Sequence, residues 1–218
     1  MPLSKTQTNW KLLRRAFFNR DPRQASHDLL GKLIVRRQGQ KVLAGRVVEV
    51  EAYLGTDDLA AHAVAGRTAR NSVLFGPPGH AYIYFIYGVH YCLNISCLPD
   101  GEAGCLLVRA LEPVAGLPAM ARARGLQDLD LDRPRDLRKL TSGPGRLCEA
   151  LEITRERDND KDMVAPRSDL QVMDDGFHVK EDEIAVTRRI GITKSAEMPL
   201  RYVIAGNAFV SGSAKITF

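Results

Sequence analysis

The chain has 218 residues, 44% of them hydrophobic, and carries 31 Lys+Arg against 26 Asp+Glu, for a formal net charge of +5. That is enough for one compact domain with a real core, and the mild positive charge permits a polyanionic partner without demanding one. Cys92, Cys97, Cys105 and Cys148 include no C-x-x-C pair, so neither a zinc site nor a disulfide framework is expected; the opening MPLSKTQTNWKLLRRAFF lacks the apolar stretch of a secretory signal, and no apolar run is long enough to cross a bilayer.

Residues 1 to about 20 form a basic lead-in. Asp21-Pro22 reads as the cap and first turn of a helix that runs through Ala25, Leu29 and Leu30 and stops near Gly31. Leu33 to Val35 and Val42 to Leu54 read as strands joined by the polar turn Gln38-Gly39-Gln40. Period two along the second strand puts Glu49, Glu51 and Tyr53 on one face and Val48, Val50 and Ala52 on the other. Residues 55–71 are small and polar, with a short helix predicted around Leu59 to Val64. Pro77-Pro78-Gly79 is a turn, residues 81–87 (AYIYFIY) and 91–97 (YCLNISC) are strands on either side of Gly88, and Gly104 to Leu111 is another. Glu112-Pro113 is predicted to open a helix, residues 126–140 to form an exposed charged insertion, and a further helix to follow Gly143-Pro144-Gly145 with Leu147, Ala150 and Leu151 on its apolar face. The polar stretch 154–169 reads as mobile. Short strands return near 170–173, 184–188 and 200–204. These elements describe one mixed α+β domain with a largely antiparallel sheet.

The chemistry-bearing side chains concentrate between Glu49 and Arg109. Tyr82, Tyr84, Tyr87 and Tyr91 place four of the six tyrosines within ten residues, and Tyr87 stands at a bend beside Gly88. Aromatic rings near a turn can stack on or wedge between nucleic acid bases, although the same cluster could simply pack an edge. A glutamate in a strand is usually solvated, a single histidine usually structural, and Asn94 could merely satisfy backbone groups. Arg109 is different, because a charge in the apolar run Cys105 to Leu111 needs a partner, and an enclosed glutamate would supply one. On residue types alone the chain is an α+β domain with a polar cleft.

Five segments carry a more specific signal: EVEAYLGTDDLAAH (Glu49 to His62), RTARN (Arg67 to Asn71), FGPPGHAYIYFIYGVHYCLNIS (Phe75 to Ser96), LLVRALEP (Leu106 to Pro113) and SGPGRLCEAL (Ser142 to Leu151). In this order they resemble the alkyladenine (3-methyladenine) DNA glycosylases, over roughly Phe17 to Ala205. The resemblance implies a single domain over residues 1–218, built around a curved, largely antiparallel sheet like that of the formyltransferase C-terminal domain, without a helix-hairpin-helix. It implies no cofactor and no metal. The partner would be double-stranded DNA containing damaged purines, met by a monomer in the cytoplasm, or in the nucleus if the source is eukaryotic.

The resemblance also implies residue roles. Glu51 would be the general base and Arg109 would help it hold the attacking water. Tyr53, His62 and Tyr84 would sandwich the extruded base, and Asn94 would crowd the amino group of a normal guanine. Tyr87, followed by Gly88, would fill the gap left in the duplex, with Arg67 and Arg70 as phosphate contacts. Residues 126–140 and 154–169 fall in variable regions to which no function transfers. Two rival readings remain at this point, a damage-binding protein without catalysis and an RNA-binding or formyltransferase-related module.

Overall fold

The computed structural model describes residues 9–86 and 88–212; Tyr87, with its expected role at the strand bend, lies outside them. A short strand β1 (Lys11–Leu12) precedes helix α1 (Pro22–Leu29). The Asp21 carboxylate accepts the Arg23 N–H, and Pro22 occupies a first-turn position where an amide would go unused, so α1 starts where the sequence indicates. The hairpin β2 (Leu33–Gln38) and β3 (Lys41–Tyr53) follows. Next come β4 (Ala81–Ile86), β5 (His90–Cys97) and the long β6 (Gly104–Ala115). Helices α2 (Leu117–Ala123), α3 (Pro134–Thr141), α4 (Pro144–Ala150) and α5 (Arg155–Asp158) form the next stretch. Strands β7 (Leu170–Asp174), β8 (Ile184–Thr187) and β9 (Arg201–Ile204) close the fold.

All nine strands of the described residues join one antiparallel sheet in the order β1-β7-β2-β3-β6-β5-β4, with β9 pairing both β3 and β8. The 13-residue β3 is the keystone. Its first half pairs with β2, its second half with β9, and its other edge with β6. The main core lies between the sheet and the helices, with Val47, Val50, Ala52, Ile95, Leu106, Val108 and Leu111 facing Leu29, Leu140, Leu147 and Leu151.

Strict alternation along β3 fails at one point. The register with β6 shifts on both sides of Glu49, an irregularity that leaves first Val48 of β3 and then Arg109 of β6 without a partner across the ladder. Val47 therefore joins Val50 and Ala52 in the core, whereas Val48 packs with Ala110 and Phe209 in a separate cluster. Glu49 and Glu51, two residues apart, remain neighbours on the face opposite the core.

Four further expectations are corrected. Residues 59–65 form turns, not a helix; the small residues there carry no apolar stripe to hold a helix against the sheet. Glu112-Pro113 does not open a helix, because β6 runs on to Ala115. Pro113 sits opposite Gly45 at a second register shift, where the ladder already tolerates a missing donor. The helix instead begins after Gly116, whose φ of +79° and close approach to Val42 and Leu43 exclude a side chain. Within 126–140, Leu126, Leu129, Leu131 and Leu137 pack on the core and Leu140 is fully buried. The segment 154–169 is pinned to the body. Arg36, fully buried in β2, donates to Asp158 (2.7 Å), Asp169 (3.1 Å) and the Leu151 carbonyl (3.2 Å), and Met163 enters the core.

Candidate active site

The chain leaves the sheet directly after Tyr53. Gly55 adopts φ +90°, and a Cβ there would lie 1.8 Å from the Ala103 carbonyl oxygen, so only glycine allows this exit. The turn sends residues 58–65 back over the end of β3, beside β4, β5 and β6. Together with the loop after β8 they enclose a cavity of about 590 Å³, within the range of small-molecule sites. Its walls include Tyr53, His62, Tyr84, Asn94, Leu107, Arg109 and Ile190.

Glu51 lies immediately behind this wall and is fully buried. Three wall residues hold its carboxylate. The Ile190 N–H donates to Oε1 at 2.8 Å, Arg109 Nη1 stands 3.2 Å from the same oxygen, and the Tyr53 hydroxyl donates to Oε2 at 3.1 Å. Burial pushes the Glu51 carboxyl above its ordinary range; Arg109, the Ile190 N–H and Tyr53 pull it back only in part, and Glu49 adds to the rise. Glu49 is differently placed. Arg109 Nε, Arg201 Nε, and both the backbone N–H and the hydroxyl of Ser211 converge on it at 2.6–2.9 Å. Two buried glutamates and two buried arginines thus balance in charge, as burial requires. Glu49 is locked as a structural acceptor, whereas Glu51 carries the perturbed proton affinity that suits acid–base work.

Around the cavity mouth the rings close in. His62 and Tyr84 have ring centroids 4.2 Å apart, and Tyr82 meets His62 edge-on, its hydroxyl 3.1 Å from Nδ1. Burial and then the Arg70 guanidinium lower the His62 pKa, so the imidazole is neutral at physiological pH. Asn94 is held by its amide donating to the Tyr82 carbonyl (3.2 Å). The Cys92 and Cys105 thiols line the cavity, and burial pushes them up to about 11 and about 12, so both are neutral. Such a chamber can grip a flat heteroaromatic ring between tyrosines and present it to a carboxylate.

The chain matches the model of the methylpurine-DNA glycosylases over residues 16–208. The chain belongs to the methylpurine-DNA glycosylase family. It is 63% identical over 200 residues to a protein of Koribacter versatilis, covering 92% of this chain and 93% of that relative. A Burkholderia cenocepacia relative is 43% identical over 98% of both chains, and one from Methanoculleus marisnigri is 44% identical over 90% of this chain and 96% of its own. The names of all three describe them, provisionally, as 3-methyladenine DNA glycosylases. The protein is therefore a DNA glycosylase, a hydrolase of N-glycosyl bonds that serves base excision repair.

In this glycosylase Tyr53, His62, Tyr84, Asn94 and Arg109 share one cavity, with Glu51 behind them. Gly88 is exposed with φ +70° and has open space where a Cβ would stand. Arg67 and Arg70 are exposed, and Arg70 rests over the Tyr84 ring with Cζ 4.7 Å from the centroid. Four contributors escaped sequence reasoning: Glu49 as the lock on Arg109, the Ile190 N–H, and the buried pair Asp58–Arg189. Arg189 stands in a run, TRRIGIT, whose local composition gives no sign that one of its two arginines is buried. No helix of the described residues is long and apolar enough to cross a membrane.

Proposed function

We propose that this glycosylase rotates an alkylated or deaminated purine (3-methyladenine, 7-methylguanine, hypoxanthine or ethenoadenine) out of duplex DNA into the aromatic cavity. It then cleaves the N-glycosidic bond with a water activated by Glu51. The observation that carries the reading is the fully buried Glu51 carboxylate, shifted toward neutral pH and held by three donors that themselves form the wall of the ring-gripping cavity. The three relatives' names point to the same substrate class.

Extrusion costs a few kcal/mol, least for damaged or mismatched bases. Tyr53 on one side, with His62 and Tyr84 on the other, would repay that by stacking, and a cationic methylpurine gains further from the ring faces. Substrate entry must free one Glu51 oxygen for water. Tyr53 is the partner that gives way, since its 3.1 Å bond is long for a hydroxyl donor. The freed carboxylate takes a proton from water as it attacks C1′, and its charge stabilises the oxocarbenium-like transition state. Arg109 keeps Glu51 oriented. No lysine is among the described residues lining the cavity, which favours water over an amine nucleophile. Tyr87 is assigned the gap in the stack, with Arg67 and Arg70 on phosphates, and the protein acts as a monomer.

The test is incubation of the purified protein with duplexes carrying one hypoxanthine, ethenoadenine or 7-methylguanine, with chromatography of released base. Free base from wild type and none from Glu51→Gln is the expected result. Capture of lesion duplex by wild type with no release would make the protein a binding module and overturn the reading.

A further inference from the structure

Arg189 follows β8, and its side chain is fully buried. A guanidinium removed from water must find partners for its charge and its N–H groups. Those partners lie on three separate pieces of the site. Nη1 and Nη2 meet the two Asp58 oxygens at 2.5 and 2.9 Å, an end-on fork typical of arginine. Nη1 also donates to the carbonyl of Ala52, the residue between Glu51 and Tyr53, at 3.1 Å. The guanidinium covers the Tyr53 ring, with Cζ 4.6 Å from the centroid. Nη2 reaches back to the Ser195 carbonyl at 3.3 Å, within Arg189's own loop.

That loop supplies the Ile190 N–H to Glu51 and the Ile190, Gly191 and Ile192 part of the cavity wall. Between 188 and 199, every residue except Arg189 is at least partly exposed. Its one apolar hold on the core is the half-buried Met198 at its far end, so the stretch beside Glu51 is fastened by the buried ion pair. We propose that the Asp58–Arg189 pair is a positioning device, which sets the Ile190 N–H on Glu51 and the ring of Tyr53 as a single unit. The inference rests on Glu51 being the general base.

The expected signature is a movement of the pH profile. The Ile190 N–H favours the ionised Glu51, so a loosened loop makes the carboxylate hold its proton more tightly, and activity then begins at higher pH. The pair touches none of Glu49 on β3, Arg109 on β6 and Cys92 on β5, which also face Glu51; Tyr53, whose hydroxyl likewise favours the ionised Glu51, is loosened with the loop and moves the profile the same way. In the double variant Asp58→Asn/Arg189→Met one charge of each sign is lost, so the net local charge is unchanged, although the Arg189 charge that favours the ionised Glu51 goes with it. Arg189→Lys keeps the charge but cannot make the fork or cover the ring. It serves as the second probe, in case the double variant fails to fold by circular dichroism.

The experiment is single-turnover excision from a duplex carrying one hypoxanthine, between pH 5 and 9, with wild type, both variants and Glu51→Gln. The acid-side limb should move up by about one pH unit in either variant, with about tenfold lower rate below the limb. A uniform rate loss with the limb at the wild-type pH would make the pair merely structural and sink the proposal, while leaving Glu51 as the base if Glu51→Gln is inactive. Wild-type excision by Glu51→Gln would overturn both.

Discussion

The Ile190 N–H lies 2.8 Å from Glu51 Oε1 although 139 residues separate the two in the chain. On the far side of the same carboxylate group the Tyr53 hydroxyl stands two residues away. Glu51 is thus gripped by one local and one remote donor beside Arg109, while Glu49, one pleat away, is consumed by Arg109, Arg201 and Ser211.

The two glutamates should therefore fail in different ways. Glu51→Gln should keep the fold and bind lesion DNA while losing base release by roughly 10²–10⁴-fold, the usual contribution of a general base. Glu49→Gln removes a carboxylate shared by two buried arginines, and leaving buried charges unpaired costs on the order of 3–5 kcal/mol. Its defect should appear in urea unfolding. Single-turnover rates and unfolding midpoints for both variants decide the matter. An active Glu51→Gln beside a stable, inactive Glu49→Gln would reverse the assignment.

The raised proton affinity of Glu51 also predicts how stability depends on pH. Because the folded pKa lies above the unfolded one, the folded state binds the proton more tightly. The stabilisation from this group is fully present below the unfolded value and is lost as pH rises through the folded one. At neutral pH the ionised Glu51 therefore lowers the stability of the folded state. Glu51→Gln should accordingly melt higher than wild type at pH 7, by an amount typical of relieved active sites, about 0.5–2 kcal/mol, and the gain should vanish below the ordinary carboxylate range. Melting curves from pH 4 to 8 test this. Equal melting temperatures at pH 7 would mean that Glu51 is not destabilised by its burial.

Asn94 lines the cavity and is fixed by the Tyr82 carbonyl. Asn94→Ala or Asn94→Ser should admit a purine carrying an exocyclic 2-amino group, raising excision of undamaged guanine relative to hypoxanthine, which lacks that group, by roughly tenfold. The measurement is release of both bases by both variants. Unchanged selectivity would leave Asn94 as a structural link between β5 and β4.

Tyr87 and Tyr53 should separate flipping from recognition. Base–aromatic stacking is worth about 1–3 kcal/mol, so Tyr87→Ala should lose about ten- to a hundredfold in excision. The loss should be largest for lesions in stable pairs and smallest in mismatches. Tyr53→Ala should lose activity whatever the pairing, since its ring forms the cavity wall and its hydroxyl touches Glu51. Excision of one lesion in paired and mismatched duplexes by both variants tests the distinction, and equal losses for Tyr87→Ala in the two contexts would remove the wedge role.

Local patterns sufficed for much of the chain. Asp21-Pro22 determines the start of α1, the β-branched run before Glu51 determines β3, and Gly143-Pro144 determines the start of α4, because caps, proline and period two act within a few residues. The motifs around Glu51, Tyr84, Asn94 and Arg109 likewise contain side chains that the fold brings to one cavity and its wall. The sequence was also right that a buried Arg109 needs a glutamate. It did not show that Glu49 and Glu51 would share that arginine, since the irregularity beside Glu49 arises from pairing β3 with β6, some sixty residues further on. The polar run 154–169 looked mobile because its buried partner, Arg36, lies more than a hundred residues upstream. Arg189 and Asp58 gave no local signal for the same reason: what distinguishes a buried charge from a solvated one is the partner that folding brings to it, and only the tertiary structure places that partner.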